Sequence, residues 1–455
     1  MSQSEGQQMD DLEIIAEKIV SQARPGEEIE AFVAWDEETS IRVYNSAIEN
    51  LSKSQSNGVG IRIVNNHKQG FAWAGTLDPA VIDFALSEAR DNASFATEDK
   101  FLGLGTPDDS SPKELNLWRD ELASHSTEEK VSLALDLESR LRNSDKRIKS
   151  VESANYGDVS SIASVMTNTG MKATYRQTFS FIAANAIAVE NEETQTGGGY
   201  SVGRTLSELD LDKAAQDASV RATRLLGASK PPSAKMTVLF DPQVTTTLLA
   251  IISGTLSGEA VLKGRSLFAG RIQEQVASPI VSLVDNPTNP SAFGASVYDA
   301  EGYPSRSTNL ILEGALQGFL YDTYSARRAG VSTTASAVRG GYSSTPGVGA
   351  RALFLTPGTA IQSELIASIE NGVLVQSISG VHSGVNPISG DFSVGAEGLL
   401  IKSGALGKPV KEFTIASSLQ RMLQEVVAVG NDVEWIPSVA AGVSLVVEGI
   451  SISGT

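Results

Sequence analysis

The segment Ala228-Ser-Lys-Pro-Pro-Ser-Ala-Lys235 constrains the fold more than any other stretch, because paired prolines among small and polar residues continue neither a helix nor a central strand. The text differs on its two sides. Before it, strand-like segments alternate with helical ones; after it come one long helical stretch and then glycine-punctuated strand segments to the end. At 455 residues the chain also exceeds the roughly 250–300 residues at which single hydrophobic cores stop growing. The expected fold class is α+β, with N-terminal α/β units followed by a β-rich, largely antiparallel C-terminal domain. The expected boundaries are 1–110 for the first unit, 111–230 for the second and 231–455 for the β-rich domain.

Within the first unit, Leu12, Ile15, Ala16 and Ile19 recur at helical spacing and predict an amphipathic helix over 11–23, ended by Pro25-Gly26. Strand patterns follow at 31–35, 40–44, 58–64 and 70–76, then a helix at 79–92. Residues 96–112 carry Gly103, Gly105, Pro107, Asp108 and Asp109 with little periodicity and read as a connection. Ser126 and Glu129 form a capping box, each side chain satisfying a free backbone N–H of the other, and open a helix to about residue 142. Strand patterns at 150–156, 160–168, 170–187 and 199–205 lead to a helix over 209–226, with Gly227 as its stop. Beyond the linker, 242–263 reads as a single long helix.

Charge and residue usage narrow the function classes. Lys plus Arg total 36 against Asp plus Glu 54, a net charge of −18 that repels nucleic-acid phosphates and anionic membranes. The small cluster Asp145-Lys146-Arg147-Ile148-Lys149 reads as a solvated helix end. No apolar stretch approaches the roughly 20 residues that a bilayer span needs, and the polar, acidic N-terminus does not resemble an export signal. A cytoplasmic location is the expectation. Cysteine is absent, which removes disulfides, thiol nucleophiles and thiolate-held metals together.

Most short motifs fail on context. Gly347-Val-Gly349-Ala-Arg-Ala352 has dinucleotide-fingerprint spacing but precedes a strand pattern instead of opening a helix, and Gly404-Ala-Leu-Gly407-Lys408-Pro409 lacks the spacing and hydroxyl of a phosphate loop. The three histidines offer no short-range metal pair: His67 lies in a polar turn, His125 just before the cap at Ser126, and His382 in a glycine-rich segment. His67 and His125 are expected to be exposed.

The segment Ser257-Gly-Glu-Ala-Val-Leu-Lys-Gly-Arg-Ser266, at the end of the predicted long helix, resembles the TldD/PmbA family. The resemblance continues through residues 299–307, 312–322, 384–393 and 429–432, in family order. It covers most of 236–432, while the first 230 residues match in general arrangement only. In the family's catalytic branch the segment carries H-E-x-x-x-H, two zinc-binding histidines and a glutamate that activates the metal-bound water. Aligned on Glu259, those histidines fall on Gly258 and Lys263. A lysine ammonium has no lone pair at neutral pH and repels a divalent ion. The branch's C-terminal cysteine ligand falls in Ile436-Pro-Ser-Val-Ala-Ala-Gly442, which has none.

The pattern fits the TldE/PmbA-type branch, which lacks the metal ligands. The resemblance therefore implies no catalytic residue, metal or cofactor in this chain, with zinc in a TldD-like metallopeptidase partner. The pair would cleave unfolded peptides, this chain forming part of the wall of the substrate passage. Gly258, Glu259, Lys263 and Arg265 mark the degenerate site. Glu259 can pair with Lys263 at i, i+4, and Lys263 or Arg265 can face the substrate passage or the partner. Two further readings stay open: a binding or regulatory protein without hydrolytic role, and a stand-alone hydrolase using Glu259 with a carboxylate-held metal.

Overall fold

The computed structural model describes residues 5–454. Helix α1 (Glu5–Val20) precedes three strands, β1 (Glu27–Tyr44), β2 (Ala47–Asn65) and β3 (Lys68–Ala74), and helix α2 (Pro79–Phe95) follows them. After the short α3 (Asp120–Ser124), the same order recurs: α4 (Thr127–Ser144), β4 (Ile148–Thr167), β5 (Lys172–Glu190), β6 (Glu193–Gly203) and α5 (Leu211–Thr223). The two α-β-β-β-α units share one antiparallel sheet of order β3-β2-β1-β4-β5-β6, joined where β1 pairs with β4 through Phe32 opposite Val165 and Ala34 opposite Ala163.

Alternation along the strands decides which face each layer takes. Ile29, Ala31, Val33, Ile41 and Val43 of β1 are buried beneath the helices, with Leu12, Ala16 and Ile19 of α1 and Leu137 and Leu141 of α4 against that face. The alternate residues Phe32 and Ala34 face the other way and pack with Ala163, Val165, Tyr175 and Tyr298. Tyr298 belongs to the C-terminal part, so the sheet is covered by helices on one side and by that domain on the other. The capping box at Ser126 and Glu129 is present, and Pro79 and Pro242 each open a helix behind an aspartate cap, Asp78 and Asp241.

Several predicted breaks are not there. The patterns at 31–35 and 40–44 are one 18-residue strand, since the polar run Asp36-Glu-Glu-Thr39 lies in a ladder with partners on both sides, where backbone pairing does not depend on side-chain polarity. The stretch 96–119 is fastened down: Asp99 accepts from the Tyr324 hydroxyl at 2.8 Å, Asp108 pairs with Arg306 at 2.8 Å, and the Leu117 carbonyl accepts from Thr178 N–H at 2.9 Å. Likewise the proline-paired linker docks, Ser229 bridging to Val410.

In the C-terminal domain β7 (Ala234–Phe240) leads into α6 (Pro242–Thr255) and the single-turn α7 (Gly258–Leu262). Strands β8 (Leu283–Asp285), β9 (Thr308–Leu312) and β10 (Ala315–Leu316) follow, then α8 (Thr323–Ala329), the ribbon β11 (Ala337–Val338) and β12 (Gly347–Val348), and β13 (Leu353–Leu355). Next come α9 (Gln362–Ser368), β14 (Asn371–Ser379), α10 (Val381–Gly384), β15 (Asp391–Lys402), β16 (Ala405–Ser418), α11 (Leu419–Gln424), β17 (Val426–Val429) and β18 (Leu445–Ser453). Strands β16-β15-β14-β7-β18 close on themselves, because the end of β18 pairs back with β16 through Ile452 opposite Ile415. Within this sheet, among the described residues, only β14 and β7 run parallel, so the domain is β-rich and largely antiparallel, and the chain as a whole is α+β. Val238, Phe240, Val375, Phe392, Ile415 and Val447 fill the core with Leu248, Leu249 and Ile252 of α6.

Candidate functional site

The long helix expected over 242–263 is two helices. Leu256 accepts from Leu320 N–H at 2.9 Å, and Gly258 N–H donates to the Leu320 carbonyl at 2.7 Å, so a parallel bridge pins the chain between α6 and α7. Ser257 then caps α7, its hydroxyl accepting from Ala260 N–H at 3.1 Å. The break has a long-range cause, which helical periodicity does not record.

Gly258, at the first histidine position, is buried. A Cβ built there would lie 2.2 Å from both Cδ1 and Cε1 of Tyr321 and 3.2 Å from the Leu320 carbonyl oxygen. The tyrosine ring thus fills the space that a side chain at this position would need. Glu259 and Lys263 are half exposed and bonded to each other across the turn. Arg265 is exposed, its N–H donating to the Ala260 carbonyl at 2.8 Å. The structure therefore gathers these four residues on and just after one short helix. Among the described residues no cluster of three His, Cys, Asp or Glu side chains could hold a metal, and the residues at the matching positions do not fit a zinc ion. His67 and His382 are exposed, whereas His125 is half-buried, with Nδ1 3.5 Å from Glu129. Because Glu259 and Lys263 are solvated, Lys263→Ala is expected to change unfolding free energy by less than about 0.5 kcal/mol, read from denaturant titration.

A cleft of about 470 Å³ lies between the sheet and the C-terminal domain. Phe32 on β1 and Tyr175 and Gln177 on β5 form one wall; Tyr298, Arg339 and Arg351 are on the other, and Pro437, Ser438 and Val439 stand at one side. That last segment is the one that the resemblance aligns with the catalytic branch's cysteine region. Lys263 and Arg265 do not line this cleft. A bonded path runs between the two places: the Tyr321 carbonyl accepts from Thr334 Oγ1 at 3.1 Å, and the neighbouring Ala335 carbonyl accepts from Arg351 Nη2 at 2.7 Å.

Behind the cleft a buried charge cluster fastens the sheet to the C-terminal domain. Glu30 on β1 pairs with Arg339 at 2.6 Å and also with Arg62 on β2, and Arg62 reaches Glu301 at 3.4 Å. All four side chains are at most 7% exposed. Burial pushes the Glu30 carboxyl up, but Arg339 and Arg62 together outweigh it and hold it below the ordinary carboxylate range. Glu301 accepts from Thr323 N–H at 2.9 Å and Thr323 Oγ1 at 2.6 Å. Asp299, with burial first and Glu301 second, is pushed well above its usual range, although Glu301 N–H and Tyr303 N–H donate to it. Asp299 and Glu301 belong to the 299–307 segment that carries the family resemblance, yet nothing in the sequence marks their partners at 30, 62 and 339.

Three successive family models place the chain among metallopeptidase-like proteins. The profile of the PmbA/TldA metallopeptidase C-terminal domain matches residues 233–454, that of the central domain matches 120–226, and that of domain 1 matches 29–93. The chain belongs to the PmbA/TldD family. It is 26% identical to metalloprotease PmbA of Escherichia coli O157:H7 over 429 residues, 93% of this chain and 92% of that one. It is 28% identical to a metalloprotease TldD homologue of Haemophilus influenzae over 390 residues, 83% and 80% of the two chains. The fold superposes on TldE from Thermococcus kodakarensis with a TM-score of 0.89 at 22% identity, covering 98% of this chain and all of that one.

Proposed function

We propose that this chain is the metal-less partner subunit of a two-subunit zinc peptidase that cleaves unfolded peptides. A TldD-like subunit supplies the zinc and the general base; this chain shapes the substrate passage. The observation that carries the reading is Tyr321, whose ring stands where a side chain at position 258 would have to be, beside a Glu259 tied to Lys263. A glutamate alone cannot replace a ligand set of about three side chains. The β-rich domain of this chain supports an extended peptide through its main chain by strand addition, with little dependence on sequence. Among the described residues no helix is long and apolar enough to cross a membrane, and the net charge of −18 disfavours nucleic acid; a cytoplasmic location completes the proposal.

The test is cleavage of an unstructured peptide by this chain, by its H-E-x-x-x-H homologue, and by the two mixed. Turnover only, or far more strongly, in the mixture is the expected result. Full activity of the homologue alone, unchanged by this chain, would leave a binding or regulatory role instead.

A further inference from the structure

The cleft between the sheet and the C-terminal domain presents a chemistry opposite to the rest of the surface. In a chain of net charge −18, the charged residues lining it are two arginines, Arg339 and Arg351. The Arg339 side chain is 2% exposed, lies 4.4 Å from the centre of the Phe32 ring, and spends Nη2 on Glu30 and the Ala300 carbonyl. Its Nε and Nη1 are buried without a hydrogen-bond partner. Arg351 donates to the carbonyls of Tyr298 and Ala335 and to Ser305 Oγ, and its Nε also lacks a partner. Three buried guanidinium nitrogens therefore have no partner among the described residues.

The balancing carboxylates stand behind the wall and are already engaged. Asp285 accepts from Arg351 N–H and Ala352 N–H, Asp299 from Glu301 N–H and Tyr303 N–H, and Glu30 from both Arg62 and Arg339. Aromatic rings come from both walls. Tyr175 and Tyr298 pack with ring centres 6.2 Å apart. The volume lies within the about 300–1,000 Å³ usual for small-ligand sites.

We propose that this cleft is a binding site for a peptide carboxylate, which Arg339 and Arg351 receive while the adjoining apolar or aromatic side chain lies against Phe32, Tyr175 and Tyr298. The ligand is an unfolded peptide's C-terminal residue. Guanidinium is suited to the role, because it stays charged and its N–H groups make charge-assisted hydrogen bonds to a carboxylate. The site deepens the partner-subunit reading and rests on it for the source of the peptide. Peptide fragments ending in a free carboxylate would be held in this chain's part of the passage.

The test is direct binding to the full chain alone, without partner or cleavage, so its outcome is separate from that of the cleavage experiment. Three fluorescein-labelled hexapeptides are titrated by anisotropy: one ending in Phe as the free acid, the same peptide as its amide, and an amide with Glu in the last position. The free acid binds, and amidation weakens binding about tenfold or more, the scale of losing a charge-assisted pair. Val439→Trp, a rim substitution at a 40% exposed position, weakens the free acid similarly with its melting temperature unchanged. Equal affinity for the Glu amide and the free acid would keep the carboxylate site and assign a side chain as its source. Equal affinity for acid and Phe amide, no effect of Val439→Trp, or no binding up to millimolar peptide would overturn the proposal.

Discussion

Arg62→Ala is expected to destabilise the folded chain by about 3–5 kcal/mol, the range for breaking a buried ion pair from one side. Arg62 is the cation shared between Glu30 of the sheet and Glu301 of the C-terminal domain, and its side chain is 7% exposed. Its loss leaves Glu301 with the Thr323 donors and Glu30 with Arg339 among the described residues, in side chains at most 2% exposed. Denaturant unfolding followed by tryptophan fluorescence reads the effect. A charge-balanced replacement, Arg62→Met with Glu301→Gln, should recover much of the loss, because the buried carboxylate disappears and the glutamine oxygen can still accept from Thr323. If Arg62→Ala costs less than about 1 kcal/mol, the cluster is solvated and does not hold the domains together.

Gly258→His with Lys263→His, which rewrites the segment as H-E-x-x-x-H, is expected to create no zinc site and to lower stability by about 1–3 kcal/mol, the usual cost of overpacking. The clash is with the Tyr321 ring, 2.2 Å from the new Cβ, and the peptide at Leu320 is pinned by its bonds to Leu256 and Gly258 and cannot easily withdraw. The missing cysteine remains missing. Adding Tyr321→Ala removes the obstruction and should return part of the stability. Calorimetric titration with zinc and thermal unfolding of the double and triple variants check both halves; tight zinc binding by the double variant would show that the ring yields, and that sequence alone separates this chain from the catalytic branch.

Much of this could be read in the sequence where the determinant was local. The pair Ser126 and Glu129, the prolines after Asp78 and Asp241, and the apolar spacing of Leu12, Ala16 and Ile19 each act within a few residues, and each lies where expected. Where pairing between distant strands decides, local pattern carries no signal. The polar run 36–39 separates two strand patterns in the sequence but is the middle of a two-sided ladder, and the expected helix over 242–263 is interrupted by a bridge to Leu320, some sixty residues on. The degenerate motif was legible in type, Glu259 beside Lys263, but Tyr321 as the occupant of the neighbouring space was not. The cleft residues Phe32, Tyr175, Tyr298, Arg339 and Arg351 are spread over both domains and share no spacing, so only the docking of sheet on C-terminal domain brings them together.

Native mass spectrometry of this chain mixed with its H-E-x-x-x-H homologue, after equilibration with zinc and desalting, counts subunits and metal ions together. The account predicts a one-to-one complex carrying one zinc, with the isolated chain free of zinc and the isolated homologue retaining it. Zinc held by the isolated chain, two zinc ions per pair, or the absence of any complex would contradict it.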